Sequence, residues 1–419
     1  MRRRLAKAIW VLLLLAMLFF TAGDSYGPAD PIAQIVQRDF FSVSRWEIGN
    51  FLKKWTHHVG ELRYEGETDA NAALRVQRYF HLARRIADLR DRVEQATTGF
   101  VATPDLPVLR RELAAAEREA GRIKPRVEET IEGMLDAVLR DGGVRSSFLW
   151  IDWLWPPVDF RLDSVPRVLV ISPRDRIEIA RTTLIDPRIT IEGRESLEDA
   201  VDARDLSSIV LGISGVASYP SLVPETSALR DVLRIAAHEW THHYLAFHPL
   251  GRAYRKSGNL TALNETVADV VGDEVGDLVY QRYFAAPGEV VTPPRRIRPA
   301  PPPAPSDQPP PFDFNAAMRE TRVRAEELLA QGKIGEAEAY MEDRRHFMAE
   351  HGYFFRKLNQ AFFAFNGSYA SRSGSGSVSP IGGQITGLRD SSATLGEFLS
   401  AVARYGSYDA LKRGLGFQE

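Results

Sequence analysis

His238-Glu239-Trp240-Thr241-His242 sets two imidazoles four residues apart with a carboxylate directly after the first. On an α-helix, residues at i and i+4 share a face, so both rings can reach one ion while Glu239 stands beside it. Such a pair suits zinc, which lowers the pKa of a bound water to about 7. The adjacent carboxylate can then take the proton as hydroxide attacks a carbonyl. The chain contains no cysteine, which excludes disulfides, thiolate metal sites and cysteine nucleophiles and leaves only His, Asp and Glu as ligands. A catalytic zinc site needs a third protein ligand and an open position. Glu265, within Asn264-Glu265-Thr266-Val267-Ala268-Asp269, is the best candidate, and Asp269 one turn further could accept the free N–H of a ligating histidine. Asp269, Asp273 and Glu274 are the alternative third ligands. His243, next to a ligand, points elsewhere on the helix and reads as structural.

These residues need two helices and a strand to position them. Leu229, Val232, Leu233, Ile235 and Ala236 give the metal-binding segment helical spacing, from a cap at Thr226 or Ser227 to about Phe247, before Pro249 and Gly251. A second helix is expected from Asn259–Thr261 to about Tyr283. Upstream, residues Ala70 to Arg140 carry apolar positions such as Leu82, Ile86, Leu89 and Val93 at helical spacing. Thr103-Pro104-Asp105-Leu106-Pro107 breaks that run, so an antiparallel pair of long helices is predicted. Strands are predicted over Val168–Ile171, Arg176–Leu184 and Ser208–Ser218. After a proline-dense stretch from Pro287 to Pro311, helices are expected over Asn315–His351 with breaks near Gly332 and Gly335. A buried aromatic helix over Tyr353–Phe365, a Ser/Gly loop over Ser371–Ser379 and a short helical tail follow. Trp150, Trp153 and Trp155 read as core packing. The predicted class is α+β and mostly helical, with a small mixed sheet packed on a metal-binding helix pair between N-terminal and C-terminal helical regions.

H-E-x-x-H followed on the next helix by N-E-x-x-x-D resembles the gluzincin clan of zinc metallopeptidases, to which thermolysin and many aminopeptidases belong. The resemblance covers about Ser208 to Tyr283. It implies that His238, His242 and Glu265 ligate zinc, that Glu239 is the general base, and that Asp269 supports a histidine. The spacing from His242 to Glu265 is a few residues longer than is usual in the clan. The resemblance also implies an edge strand before the metal helix, along which the substrate backbone lies; Leu211 to Tyr219 occupies that place, with Gly212, Gly215 and Ala217 as substrate-binding positions. Clan members further stabilise the oxyanion with a Tyr or His from beyond the third ligand, a role that falls here on Tyr369, with Tyr219 and Tyr353 as alternatives. The acidic amine-anchoring motif of the best known aminopeptidases is missing, so endopeptidase and aminopeptidase action both stay open.

The remaining composition bounds the context. With 53 basic and 55 acidic residues in 419, no global field favours nucleic acid. Arg2, Arg3, Arg4 and Lys7 precede an uncharged run from Ala8 to Ala22, the layout of a signal peptide or signal anchor that sends the rest of the chain outside the cytoplasm. The expected organisation is a leader over 1–23, a helical region over 24–145, a zinc peptidase core over 146–286, a proline-rich linker or insertion over 287–312 and a helical region over 313–419. The expected partners are a peptide or protein substrate and, through the leader, a membrane. The alternative to a peptidase is a membrane-tethered metal-binding scaffold without turnover.

Overall fold

The structure is a computed structural model and describes residues 30–47, 49–50, 69–98, 106–148, 151–225, 228–254, 256–286, 288–289, 312–367 and 379–416. After a short helix α1 (Pro31–Val36), the described chain forms the antiparallel pair α2 (Asp69–Thr98) and α3 (Leu106–Asp141). Their apolar stripes, among them Val76, Leu89, Leu109, Ile131 and Leu135, enter one large core. The strands β1 (Ser146–Phe148) and β2 (Ile151–Trp153) pair antiparallel, and β3 (Phe160–Asp163) pairs in parallel with the later β7 (Ser221–Pro224). α3 is stitched to β3 by two buried carboxylates. Glu128 accepts from the Leu162 N–H at 2.8 Å and Glu132 from the Phe160 N–H at 2.9 Å, which satisfies backbone donors that would otherwise be buried unpaired.

β4 (Arg167–Pro173), β5 (Arg181–Ile185) and β6 (Leu206–Gly212) form an antiparallel sheet in the order β5-β4-β6. Alternation along β4 divides its faces. Leu169 and Ile171 pack with Leu197 and Val201 of α4 (Ile191–Asp202) and with α1, whereas Val168 and Val170 pack against the helices that follow residue 312. The metal-motif helix α5 (Leu229–Ala246), the single turn α6 (Pro249–Arg252) and the long α7 (Gly258–Tyr283) lie in the large core. They are joined there by α11 (Ile381–Ser391), α12 (Leu395–Ala403) and α13 (Tyr408–Leu415). The second core holds α8 (Phe314–Ala330), α9 (Ile334–Glu350) and α10 (Gln360–Asn366). The architecture is therefore the mostly helical α+β class expected, with parallel and antiparallel pairings both present.

Three boundaries differ from expectation, each for a local reason. β6 ends at Gly212, not Ser218, because its partner β4 begins only after Pro166, which has no N–H to extend the ladder. β5 begins at Arg181, not Arg176. Residues 174–180 loop around the Ser172 hydroxyl, which accepts from the Glu178 N–H at 3.2 Å. The aromatic helix over Tyr353–Phe365 shrinks to Gln360–Asn366. α9 terminates at Gly352, whose φ of 86° is left-handed, and Asn359 then caps α10 by accepting from the Phe362 N–H at 2.9 Å. Phe354, expected in that buried helix, is 83% exposed. The α4 helix, capped by Thr190, was not anticipated at all. Thr226, Ser227, Trp150, residues 1–29, 290–311 and 371–378 lie outside the described residues.

Candidate metal centre

α5 and α7 cross closely because α7 carries glycine where α5 comes nearest. A Cβ on Gly272 would stand 2.8 Å from the Arg234 carbonyl oxygen, and one on Gly276 would stand 2.7 Å from the Arg234 nitrogen. Glycines four residues apart let two helix backbones approach more closely than bulkier side chains allow. The crossing is also clamped by charge. Buried Asp277 of α7 accepts from Arg230 Nε at 2.8 Å and from Arg234 Nε at 2.9 Å, both on α5.

One and two turns toward the N-terminus of α7 from Gly272, this crossing delivers Asp269 and Glu265 to the histidines. His238 Nε2 and His242 Nε2 are 3.1 Å apart, and Glu265 Oε2 lies 3.5 Å and 3.6 Å from them. Tetrahedral zinc bound at about 2.0–2.1 Å separates its ligand atoms by about 3.3–3.4 Å, which this triangle brackets. The outer nitrogens fix the tautomers. His238 Nδ1 faces Asp269 Oδ1 at 3.1 Å and His242 Nδ1 faces Asn264 Oδ1 at 2.8 Å, so each Nδ1–H donates outward and each Nε2 points inward, where loss of its proton would leave a lone pair for a cation. Glu265 Oε1 accepts from the Tyr254 hydroxyl, which leaves Oε2 turned to the histidines. Two imidazole nitrogens and a carboxylate oxygen converging at this spacing could hold a divalent cation. Of the ligand side chains His242 is the most exposed, so the opening to solvent lies on its side.

Electrostatics point the same way. Burial opposes charge on His238, but Asp269 and Glu265 outweigh it and push its pKa up to about 10 without a metal. Burial likewise opposes, and Glu265 raises, the pKa of His242, while Glu265 itself falls well below the carboxylate range beside the two imidazoles despite its burial. The centre therefore attracts positive charge. Glu239 is buried beside it, and the chain at Gly215 passes so close that a Cβ there would collide with the Glu239 carboxylate.

Every expected ligand thus meets at one point, whereas the alternatives do not. Asp273 lies 3.8 Å from Arg234, and Glu274 is held by Arg389 of α11 through Nε at 2.8 Å and Nη2 at 2.7 Å. His243 is buried and neutral: burial pushes its pKa down to about 4, and its Nε2–H donates to the Ser218 carbonyl at 2.8 Å. Tyr369 lies outside the described residues, Tyr219 packs edge-on against His243, and Tyr353 is exposed and stacks on Phe314 at 4.0 Å. Tyr254 and Asn264 were not anticipated. Asn264 had a signal, since it directly precedes the third ligand. Tyr254 had none, because only the chain reversal through α6 returns it to Glu265.

The β6 residues that lead into the expected substrate strand over Leu211 to Tyr219 are sealed on their outer edge. Glu198 of α4 accepts from the Val210 N–H at 2.6 Å, and Asn359 Nδ2 donates to the Ser208 carbonyl at 2.9 Å. Beyond it the chain turns inward, where Val216 exchanges hydrogen bonds of 3.0 Å with Leu222. Gly212 and Gly215 bound the open stretch between, and Ala217 sits past the turn. No protein-family model matches the chain, and no curated protein or solved structure shows significant similarity to it.

Proposed function

We propose that this protein is a zinc-dependent peptidase of the kind the gluzincin resemblance implies. The observation that carries the reading is the 3.1–3.6 Å triangle of His238 Nε2, His242 Nε2 and Glu265 Oε2, each ligand oriented by its own outer partner. Zinc held there would polarise a substrate carbonyl and make a water acidic enough to react near neutral pH. Glu239 would take a proton from an attacking water and return it to the departing amine, a role that needs its carboxylate beside the site and ionised. Gly215 lets the chain run directly against the Glu239 carboxylate, and an extended peptide laid along Gly212 to Gly215 would bring its carbonyl toward that group. Asp269, Asn264 and Tyr254 do no chemistry in this scheme; they orient ligands. Two histidines and one carboxylate also serve ferrous iron in oxygenases. A carboxylate placed between the two histidines favours hydrolysis, because a general base has no use in a scaffold or in oxygen activation.

The test is Glu239→Gln in the full chain, with zinc measured by elemental analysis and cleavage scored on a peptide library. The variant is expected to keep zinc and to lose about 100- to 10,000-fold in turnover. A wild-type protein that takes up no zinc, or a variant with undiminished cleavage, would end this reading. The basic leader before Ala8 to Ala22 places the peptidase on the far side of a membrane in the same proposal, and a C-terminal reporter active only in the cytoplasm would refute that placement. No described helix is long and apolar enough to cross a membrane, and the leader lies outside the described residues.

A further inference from the structure

α4 runs antiparallel to β6 along its outer edge, and its polar residues meet the strand in step. Asp202 accepts from the Ser208 hydroxyl at 2.7 Å, and Glu198 from the Val210 N–H at 2.6 Å. Four helical residues advance about 6 Å and two strand residues about 6.6 Å, so the next pair in this series brings Arg194 level with Gly212. Gly212 is where the sealed part of the edge ends. A second arginine reaches the same place from the sheet itself. Arg167 is the register partner of Gly212 on β4, and its Nη1 lies 3.9 Å from where a Gly212 Cβ would stand, so the guanidinium extends over the glycine toward the free edge.

Neither arginine has an acidic partner among the described residues, in contrast to their neighbours. Arg356 is bound to Glu198, Arg174 to Glu338 and Asp205, and Arg181 to Asp30. Arg194 spends Nη2 on the Ile189 carbonyl at 3.3 Å, but its Nε is buried without a hydrogen bond, and so is the Nε of Arg167. Buried donors are seldom left unpaired, and two guanidiniums facing one spot repel each other unless an anion lies between them. Burial and the nearby Arg194 charge also lower the pKa of Arg167, as expected for two cations set close together.

Resting on the peptidase reading above, we propose that Arg167 and Arg194 form a carboxylate-binding subsite at the end of the peptide cleft. Gly212 and Gly215 are three residues apart, at most about 10 Å of extended chain, and Gly215 lies on the catalytic carboxylate. The bound carboxylate therefore belongs about three residues from the cleaved bond. It is supplied either by an acidic side chain or by the free C-terminus of a short peptide.

The experiment uses the zinc-loaded full chain in detergent and two peptide arms. One walks a single Glu along an alanine-rich, end-blocked peptide; the other has no Glu and differs only in a free or amidated C-terminus. One Glu position, or the free terminus, is expected to raise kcat/KM by about 10- to 100-fold. Arg167→Gln and Arg194→Gln are expected to abolish that preference while cleavage of the neutral peptide persists, and Arg194→Glu should turn it toward Lys, a gain that misfolding cannot imitate. Equal cleavage of all peptides, or a preference that survives both Gln variants, overturns the subsite. If nothing is cleaved, the peptidase reading falls alone and binding of the same fluorescent peptides to the Glu239→Gln variant decides the subsite. Tighter binding of the acidic or free-ended peptide, lost on adding Arg167→Gln, upholds it, and equal binding overturns it.

Discussion

Gly272 on α7 faces His238 on α5 with no room for a methyl group between them: a Cβ would stand 3.0 Å from the histidine Cβ and 2.8 Å from the Arg234 carbonyl oxygen. The candidate metal centre thus depends on a glycine that touches none of its proposed ligand atoms. Gly272→Ala is expected to push the helices apart, destabilising the metal-free protein by about 1–3 kcal/mol despite alanine's better helix propensity. Zinc affinity should fall with it. Gly383→Ala on α11, where nothing lies within 4 Å of the new methyl, is the control and should be neutral or slightly stabilising. Urea unfolding of both variants makes the comparison, and equal stabilities would mean that the crossing yields easily.

Glu265→Ala should lose most of the bound zinc, since it removes one of the three proposed ligands. Asp269→Ala should weaken binding by about 10- to 100-fold through the orientation of His238. Asp273→Ala and Glu274→Ala should bind normally, because their side chains face Arg234 and Arg389. Competition with a chelating dye ranks the set. Zinc loss in Glu274→Ala but not in Glu265→Ala would reassign the third ligand.

Tyr254→Phe removes only the hydroxyl that holds Glu265 Oε1. Zinc affinity is expected to fall about tenfold with little change in unfolding midpoint. A cobalt-substituted protein should also show an altered visible spectrum as the carboxylate becomes free to bind through both oxygens. An unchanged spectrum and affinity would make the hydroxyl incidental.

Protons compete with the metal. Asp269 and Glu265 overcome burial and lift His238 from its ordinary 6.5 to about 10, so the metal-free protein carries a proton there at neutral pH that zinc must displace. Apparent zinc affinity should therefore rise about tenfold per pH unit between pH 7 and 9, with proton release visible by calorimetry in buffers of different ionisation enthalpy. The same shift stabilises the metal-free fold below about pH 6.5, and that contribution is lost as pH climbs through about 10. An affinity that stays flat from pH 7 to 9 would contradict the raised value.

Chemistry at short range was legible in the chain alone. His238, Glu239 and His242 lie within one helical turn and a fraction, and Glu265 and Asp269 lie one turn apart, so helix geometry by itself dictates which of them share a face. The long pair α2 and α3 was legible for the same reason, because apolar period reports a helix wherever one face is buried. Contacts between elements were not. That Gly272 and Gly276 set the distance from α5 to α7, that Tyr254 returns to Glu265, and that Glu198 and Asn359 seal half of β6 all depend on which surfaces meet. No local pattern encodes those meetings. Arg167 and Arg194 show this most plainly. In the sequence they are two of many arginines, one beside a proline and one in an unanticipated helix. Only the pairing of β4 with β6 and the antiparallel run of α4 bring their charges to one glycine, because side chains distant in sequence acquire a common environment only when the backbone has closed around them.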